Sequence, residues 1–128
     1  DQSWIQDLNK DFNIPLADKT IDATLIVAGW QYLQYPELIT KELTRIVKDK
    51  GKIIVSFTNR AFWHKSPNIW TYSSDFARLN YVCSILEDNG WSIKEKISVD
   101  SVTKGLKKIF SISNDPFLSV IATNNNFK

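Results

Sequence analysis

Three short groups of residues in this 128-residue chain could do chemistry: Asp7, Gly29-Trp30, and Asn59-Arg60 with His64 close behind. A carboxylate such as Asp7 accepts hydrogen bonds, and a guanidinium such as Arg60 clamps a carboxylate or phosphate with its planar fork. His64 is the only imidazole in the chain and Tyr32 a nearby phenol, so these two are the weak candidates for a general base. Each group also has an ordinary explanation. Asp7 before Leu8-Asn9 opens a turn, Gly29 relieves backbone strain after a strand, and Arg60 is a solvated charge. Trp30, Trp63 and Trp70 are core or rim packing before they are a substrate cage. What lifts the functional reading is that all three groups fall where apolar strands are expected to end.

The elements that must position them are read from hydrophobic patterning. Residues 3 to 8 read as a short strand ending at Asp7, and 9 to 20 as a loop. The stretch "TIDATLIVAGW", 20 to 30, is nearly continuous in apolar residues, which predicts a strand over 21 to 28 covered on both faces. Pro36 opens a helix carrying Leu38, Ile39, Leu43, Ile46 and Val47 up to Lys50, with Gly51 ending it. A strand over 52 to 58 then breaks into a mixed polar and aromatic loop, 59 to 72. Ser73 or Ser74 caps a helix over 75 to 88, whose buried positions are Phe76, Leu79, Val82, Cys83, Ile85 and Leu86. Residues 91 to 98 alternate as a half-wet strand, 100 to 116 are ambiguous, and 117 to 122 form a last apolar strand. Strands alternating with helices predict an α/β layered fold with a mostly parallel sheet. Only a loop separates the last two strands, so that pair is expected to be antiparallel. In such sheets ligands sit outside the carboxyl ends of the strands.

Composition bounds the rest. The chain suffices for one domain, residues 1 to 128, with an ordinary 43% hydrophobic and 23% charged content. A net charge of +2 is too small to argue for a polyanion partner. Arg60, Lys65, Lys104, Lys107 and Lys108 with nearby aromatics could contact nucleic acid, but acids are interspersed among them and a solvated face explains them better. No apolar run reaches membrane-spanning length. The single Cys83 forms no internal disulfide, no Cys/His spacing suggests a metal site, and a cytoplasmic setting is the default. The chain starts at Asp1 and has no methionine, so its start is expected to be cut.

The order of certain residues resembles the later part of the Rossmann-like, class I S-adenosylmethionine-dependent methyltransferases. The elements are Asp7-Leu8-Asn9, Ile14-Pro15-Leu16, Asp18, Ile21-Asp22, Gln31-Tyr32-Leu33, Glu42, Arg45-Ile46, Gly51 and Ser56-Phe57-Thr58-Asn59-Arg60. The resemblance implies a three-layer sandwich with strand order 3-2-1-4-5-7-6 and an antiparallel C-terminal strand. It implies that Asp7 accepts from the adenine amino group, that Leu8 packs on the ring, and that Val27, Ala28, Gly29 and Gln31 line the methionine moiety. It places Trp30, Tyr32, Asn59, Arg60 and His64 on the side of a small-molecule acceptor. The family's Gly-rich loop after its first strand and the acidic residue after its second have no counterpart, since glycine occurs only at 29, 51, 90 and 105. The usual Gly-Gly before the fifth strand is Gly51-Lys52. On this reading the chain begins at the family's third strand, and strand 21 to 28 has a bare edge that another chain, including a second copy, a rearranged N-terminal segment or further residues would cover. The alternative to methyl transfer is a non-catalytic remnant that binds a partner or assembles through that edge.

Overall fold

A computed structural model describes residues 1–58, 66–99 and 117–125. Among the described residues the strands are β1 (Ile21–Val27), β2 (Val47–Phe57), β3 (Trp91–Val99) and β4 (Phe117–Asn124). The helices are α1 (Pro36–Ile46), the four-residue α2 (Asn68–Thr71) and α3 (Asp75–Asp88), with a 3-10 turn at Trp30–Tyr32. The four strands form one sheet in the order β1-β2-β4-β3. β1 and β2 run parallel, and β4 runs antiparallel to both β2 and β3. Three strands therefore point one way and β4 is reversed, as the lack of a helix pattern between the last two strands predicts.

Pleating sorts the sheet into two faces. Ile53, Val55 and Phe57 of β2 lie level with Ala122, Val120 and Leu118 of β4, all buried, on the face packed by α1 and α3. Ile39, Leu43 and Ile46 of α1 and Leu79, Val82 and Leu86 of α3 complete that core. α3 begins as its sequence dictates: the Ser74 side chain accepts from the Ala77 N–H at 3.1 Å, one of the helix-start donors that lack an intrahelical partner. The other sheet face carries Leu25 and Val27, 64% and 65% exposed. The described residues thus supply a sheet and one helical layer.

Several boundaries and burials differ from expectation. Strand 21 to 28 is covered on one face, not both, because nothing described packs on Leu25 and Val27. Residues 3 to 8 form no strand: β1 pairs only with β2 among the described residues, so no neighbour offers a ladder to the first segment. Instead, Gln6 Nε2 donates to the Asp11 and Asn13 carbonyls and bends the segment locally. Helix α1 stops at Ile46 rather than Lys50 because Val47 turns extended and pairs with Ile21. The carbonyls freed at that helix end accept from the backbone of Lys19 and Thr20, which lead into β1. Gly51 therefore lies inside β2, not at a helix end. Residues 48 to 51 bulge out opposite Asp22, Lys50 has φ 62°, and a Cβ at Gly51 would lie 2.5 Å from Val47 Cγ1 and 2.9 Å from the Asp22 carbonyl oxygen. Only glycine allows that approach. Phe76, expected in the core, is 74% exposed. The loop expected over 59 to 72 holds the short helix α2.

Candidate functional site

The candidate site is built from the segments beyond the carboxyl ends of β1 and β2. These strands are parallel and adjacent, and the Ala28 N–H donates to the Ser56 carbonyl at 2.8 Å, so the two strand ends lie side by side. Ala28 sits at φ 51°, whereas Gly29 has φ −118°. The strain that the sequence assigned to Gly29 therefore belongs to Ala28. A Cβ at Gly29 would meet Ile26 Cγ2 at 3.6 Å and the Val27 carbonyl oxygen at 3.8 Å, ordinary contacts. Neither steric demand nor backbone conformation within the chain requires glycine there. The missing side chain leaves the backbone open to close approach.

Asp7 is not at a strand end, yet it is brought to this region. Asn9 Nδ2 donates to the Tyr32 carbonyl at 3.0 Å and Asn9 Oδ1 accepts from the Gln34 N–H at 2.9 Å. That pair of bonds laces the loop at 7–11 to the segment after β1. Asp7 Oδ1 accepts from the Asn9 N–H at 3.0 Å, the local turn that its sequence context suggests. Its other oxygen lies 3.6 Å from Lys10 Nζ on a side chain 54% exposed, so it keeps capacity for a ligand donor. Leu8 and Gly29 then share the lining of an apolar cavity of about 260 Å³ with Thr24, Ile26, Leu33 and Leu43. A larger groove of about 850 Å³, lined by Phe12, Lys41, Arg45 and Asp88, runs along α1 and includes none of the predicted site residues.

The remaining predicted residues divide. Trp30 and Gln31 are buried, 1% and 3% exposed. The Trp30 Nε1 and Gln31 Oε1 atoms have no hydrogen-bond partner. Tyr32 closes the 3-10 turn, its N–H donating to the Gly29 carbonyl. Val27 faces outward on the exposed sheet face. Asn59, Arg60 and His64 lie outside the described residues, as do Trp63, Lys65, Lys104, Lys107 and Lys108. Within the described residues, the structure unites Asp7, Leu8, Gly29, Gln31 and Tyr32 at one end of the sheet.

Three other residues of the sequence pattern have a task that patterning alone does not reveal. Arg45 donates to Glu42 through Nε and Nη2, to Asp18 Oδ1 at 2.7 Å, and to the Ile14 and Leu16 carbonyls at 3.0 and 2.8 Å. Glu42 Oε1 also accepts from the Ile14 N–H at 2.8 Å. The hydrogen bond from Arg45 holds the Glu42 carboxyl below its ordinary range, and Arg45 itself is raised in return. This clamp pins the loop before β1 onto α1, so Glu42, Arg45 and Asp18 are scaffold for Asn9 and its neighbours. The three-residue spacing of Glu42 and Arg45 on one helix was the available signal.

Residues 4–55 match a methyltransferase domain family. Solved structures agree in fold. An S-adenosylmethionine-dependent methyltransferase from Aquifex aeolicus is 20% identical, with a TM-score of 0.65 over 96% of this chain and 54% of its own. One from Mesorhizobium loti is 13% identical, with a TM-score of 0.64 over 92% of this chain and 67% of its own. The fold is that of a class I methyltransferase. The order β1-β2-β4-β3 corresponds to the family's 4-5-7-6 half-sheet. The [4+2]-cyclase SpnF has the same fold, at 13% identity and a TM-score of 0.60 over 88% of this chain and 54% of its own. No curated protein sequence matches the chain. This chain spans about half to two thirds of the length of these methyltransferase-fold structures. Among the described residues no helix is long and apolar enough to cross a membrane.

Proposed function

We propose that this chain forms the acceptor-side half of an S-adenosylmethionine-dependent methyltransferase acting on a small molecule. The observation that carries the reading is the convergence of loop 7–11, laced by Asn9, with Gly29–Gln31 at the carboxyl end of β1. The residues fit the cofactor chemically. Asp7 retains an exposed carboxylate oxygen for the adenine amino group, and Leu8 presents an apolar surface beside the open backbone of Gly29. Ala28, Gly29 and the unpaired amide oxygen of Gln31 line the methionine end, with Val27 at the strand terminus below them. When bound, the cofactor would supply a methyl group whose carbon is already electrophilic because the sulfonium sulfur leaves as a neutral thioether. The protein then has to align the acceptor and exclude water, work that positioned groups do without covalent help. Trp30, Tyr32, Asn59 and Arg60 hold the acceptor, and Tyr32 or His64 takes a proton where the acceptor must lose one.

Calorimetric titration with S-adenosylhomocysteine tests the reading. Saturable binding that weakens in Asp7→Ala and Gly29→Leu variants is expected, and no binding to the full-length protein refutes it. A second reading has its own support: β1 offers an unpaired edge among the described residues. On that reading the edge binds a partner or a second copy of the chain, and the fold serves assembly. A monomer by analytical ultracentrifugation, at concentrations where S-adenosylhomocysteine binds, excludes it.

A further inference from the structure

The groove of about 850 Å³ along α1 includes none of the candidate-site residues, yet it shares a loop with them. Three segments line it: Phe12 and Asn13 of the loop before β1, the stripe Leu38, Lys41, Glu42 and Arg45 of α1, and Asp88 to Gly90 at the end of α3. The loop is one hydrogen-bonded unit. The Asp7 carbonyl accepts from the N–H groups of Lys10 and Asp11 at 3.0 and 2.9 Å, Asp11 Oδ1 accepts from the Asn13 N–H at 3.0 Å, and Gln6 Nε2 donates to the Asn13 carbonyl at 2.9 Å. A ligand that holds Phe12 and Asn13 therefore also steadies Asp7. The charges of the groove divide into two kinds. Glu42 and Arg45 are engaged with each other and with residues 14 to 18. Lys41 and Asp88 are exposed, and among the described residues neither side chain has a hydrogen-bond or ion-pair partner. Asp88 ends α3, whose last turn holds no basic residue, so its carboxylate stands uncompensated at the negative pole of the helix. Apolar surface lies in the same groove: Leu38 is 46% exposed, and the half-buried Phe12 ring is held edge-on to Tyr35 at 5.6 Å.

We propose that this groove docks a short peptide segment of a partner protein, with an acidic residue on Lys41, a basic residue on Asp88 and an apolar side chain on Phe12 and Leu38, and that docking steadies the loop that carries Asp7. The docking stands on the groove alone, whereas its effect on cofactor binding rests on the methyl-transfer reading. Charge complementarity chooses the occupant. One free cation and one free anion in a single groove suit a ligand that bears both signs, and an extended peptide supplies both together with an apolar side chain. A polyanion would satisfy Lys41 but meet Asp88 at a helix pole that already repels it. The volume lies within the range of about 300–1,000 Å³ in which proteins bind small ligands. The consequence for the candidate site is thermodynamic. A ligand that binds the ordered loop favours that state by mass action, and any coupling to a second ligand is reciprocal. The peptide and the cofactor should then raise each other's affinity by the same factor.

The experiment follows backbone amide signals of the full-length, ¹⁵N-labelled protein by NMR. The probe is the blocked tripeptide acetyl-Glu-Leu-Lys-amide, and its uncharged counterpart is acetyl-Gln-Leu-Gln-amide. The charged peptide is expected to move the Phe12, Asn13, Lys41 and Gly90 amides in a saturable way, and the uncharged one to move them far less. Added salt should weaken the charged peptide's binding. Lys41→Glu and Asp88→Lys are surface changes that leave the fold intact, and each should weaken it about three- to fivefold, the effect of one exposed ion pair. Unmoved groove amides, equal responses to the two peptides, or variants that bind as tightly as the native chain would overturn the docking. Coupling has a separate readout. The Gln34 amide, bonded to Asn9 Oδ1, should exchange more slowly with the peptide bound, and S-adenosylhomocysteine should bind more tightly by calorimetry. Peptide binding that changes neither quantity overturns the coupling. Slower Gln34 exchange with no S-adenosylhomocysteine binding at all supports the groove and its loop while refuting methyl transfer.

Discussion

Replacing Asn9 by alanine tests the link between loop 7–11 and the segment after β1. The native side chain makes two hydrogen bonds of 3.0 and 2.9 Å to backbone groups of Tyr32 and Gln34. A typical intramolecular hydrogen bond contributes about 1 kcal/mol net. Asn9 is half-buried, and water can replace part of each bond in the variant. The loss should therefore be about 1–2 kcal/mol, short of the full penalty for an orphaned buried group. With an m-value of about 1.5 kcal/mol per molar urea, the unfolding midpoint falls by about 1 M. Hydrogen exchange gives a local readout: the Gln34 amide should exchange about tenfold faster while the amides of β2 and β4 keep their protection. Asn9→Asp separates the two bonds. At neutral pH its carboxylate still accepts from Gln34 but faces the Tyr32 carbonyl oxygen with no proton to give. Protonation restores a donor, so the deficit of this variant relative to the native chain should shrink as pH falls through about 4. An unchanged midpoint and unchanged Gln34 exchange in Asn9→Ala would refute the idea that Asn9 joins the two segments.

Three further outcomes are expected from geometry elsewhere. The Glu42 carboxyl is held below its ordinary value of 4.5 by Arg45, so its stabilising contribution is complete above that value and is lost as pH falls through the lowered one. Glu42→Gln should therefore flatten the acid side of the stability curve measured by urea melts at stepped pH. Gly51→Ala, with its Cβ forced within 3 Å of Val47 and two backbone oxygens, should cost about 1–3 kcal/mol, whereas Gly29→Ala should leave the thermal midpoint nearly unchanged and weaken S-adenosylhomocysteine binding. Thr44→Val leaves the buried Trp91 N–H without its 2.8 Å acceptor and should cost about 1–3 kcal/mol by chemical denaturation.

The apolar run Ile53–Val55, the proline start of α1 and the Ser74 cap were legible because each is local chemistry with one favoured structure. The antiparallel final pair was legible because no helix pattern separates the last two strands. The end of α1 was not, because Val47 leaves the helix for a tertiary reason, its pairing with Ile21. The exposure of Leu25 and Val27 was hidden for the same reason: an apolar pattern reports what a strand can bury, not what is there to bury it. At the site, Asp7, Leu8 and Gly29 could be named from resemblance. The work of Asn9, and of Glu42 and Arg45 behind it, required coordinates, since polar residues paired over more than twenty positions leave no periodic trace.

Alanine at φ 51° is uncommon, because its methyl group crowds the neighbouring carbonyl. At position 28 a backbone bond to Ser56 holds it there, so that single bond sets the direction in which the chain departs from β1. Anything that slides β1 along β2 by one residue would break the bond, release the torsion and swing Gly29 and Trp30 away together. Register between these two strands and the shape of the candidate site are, in this molecule, one variable.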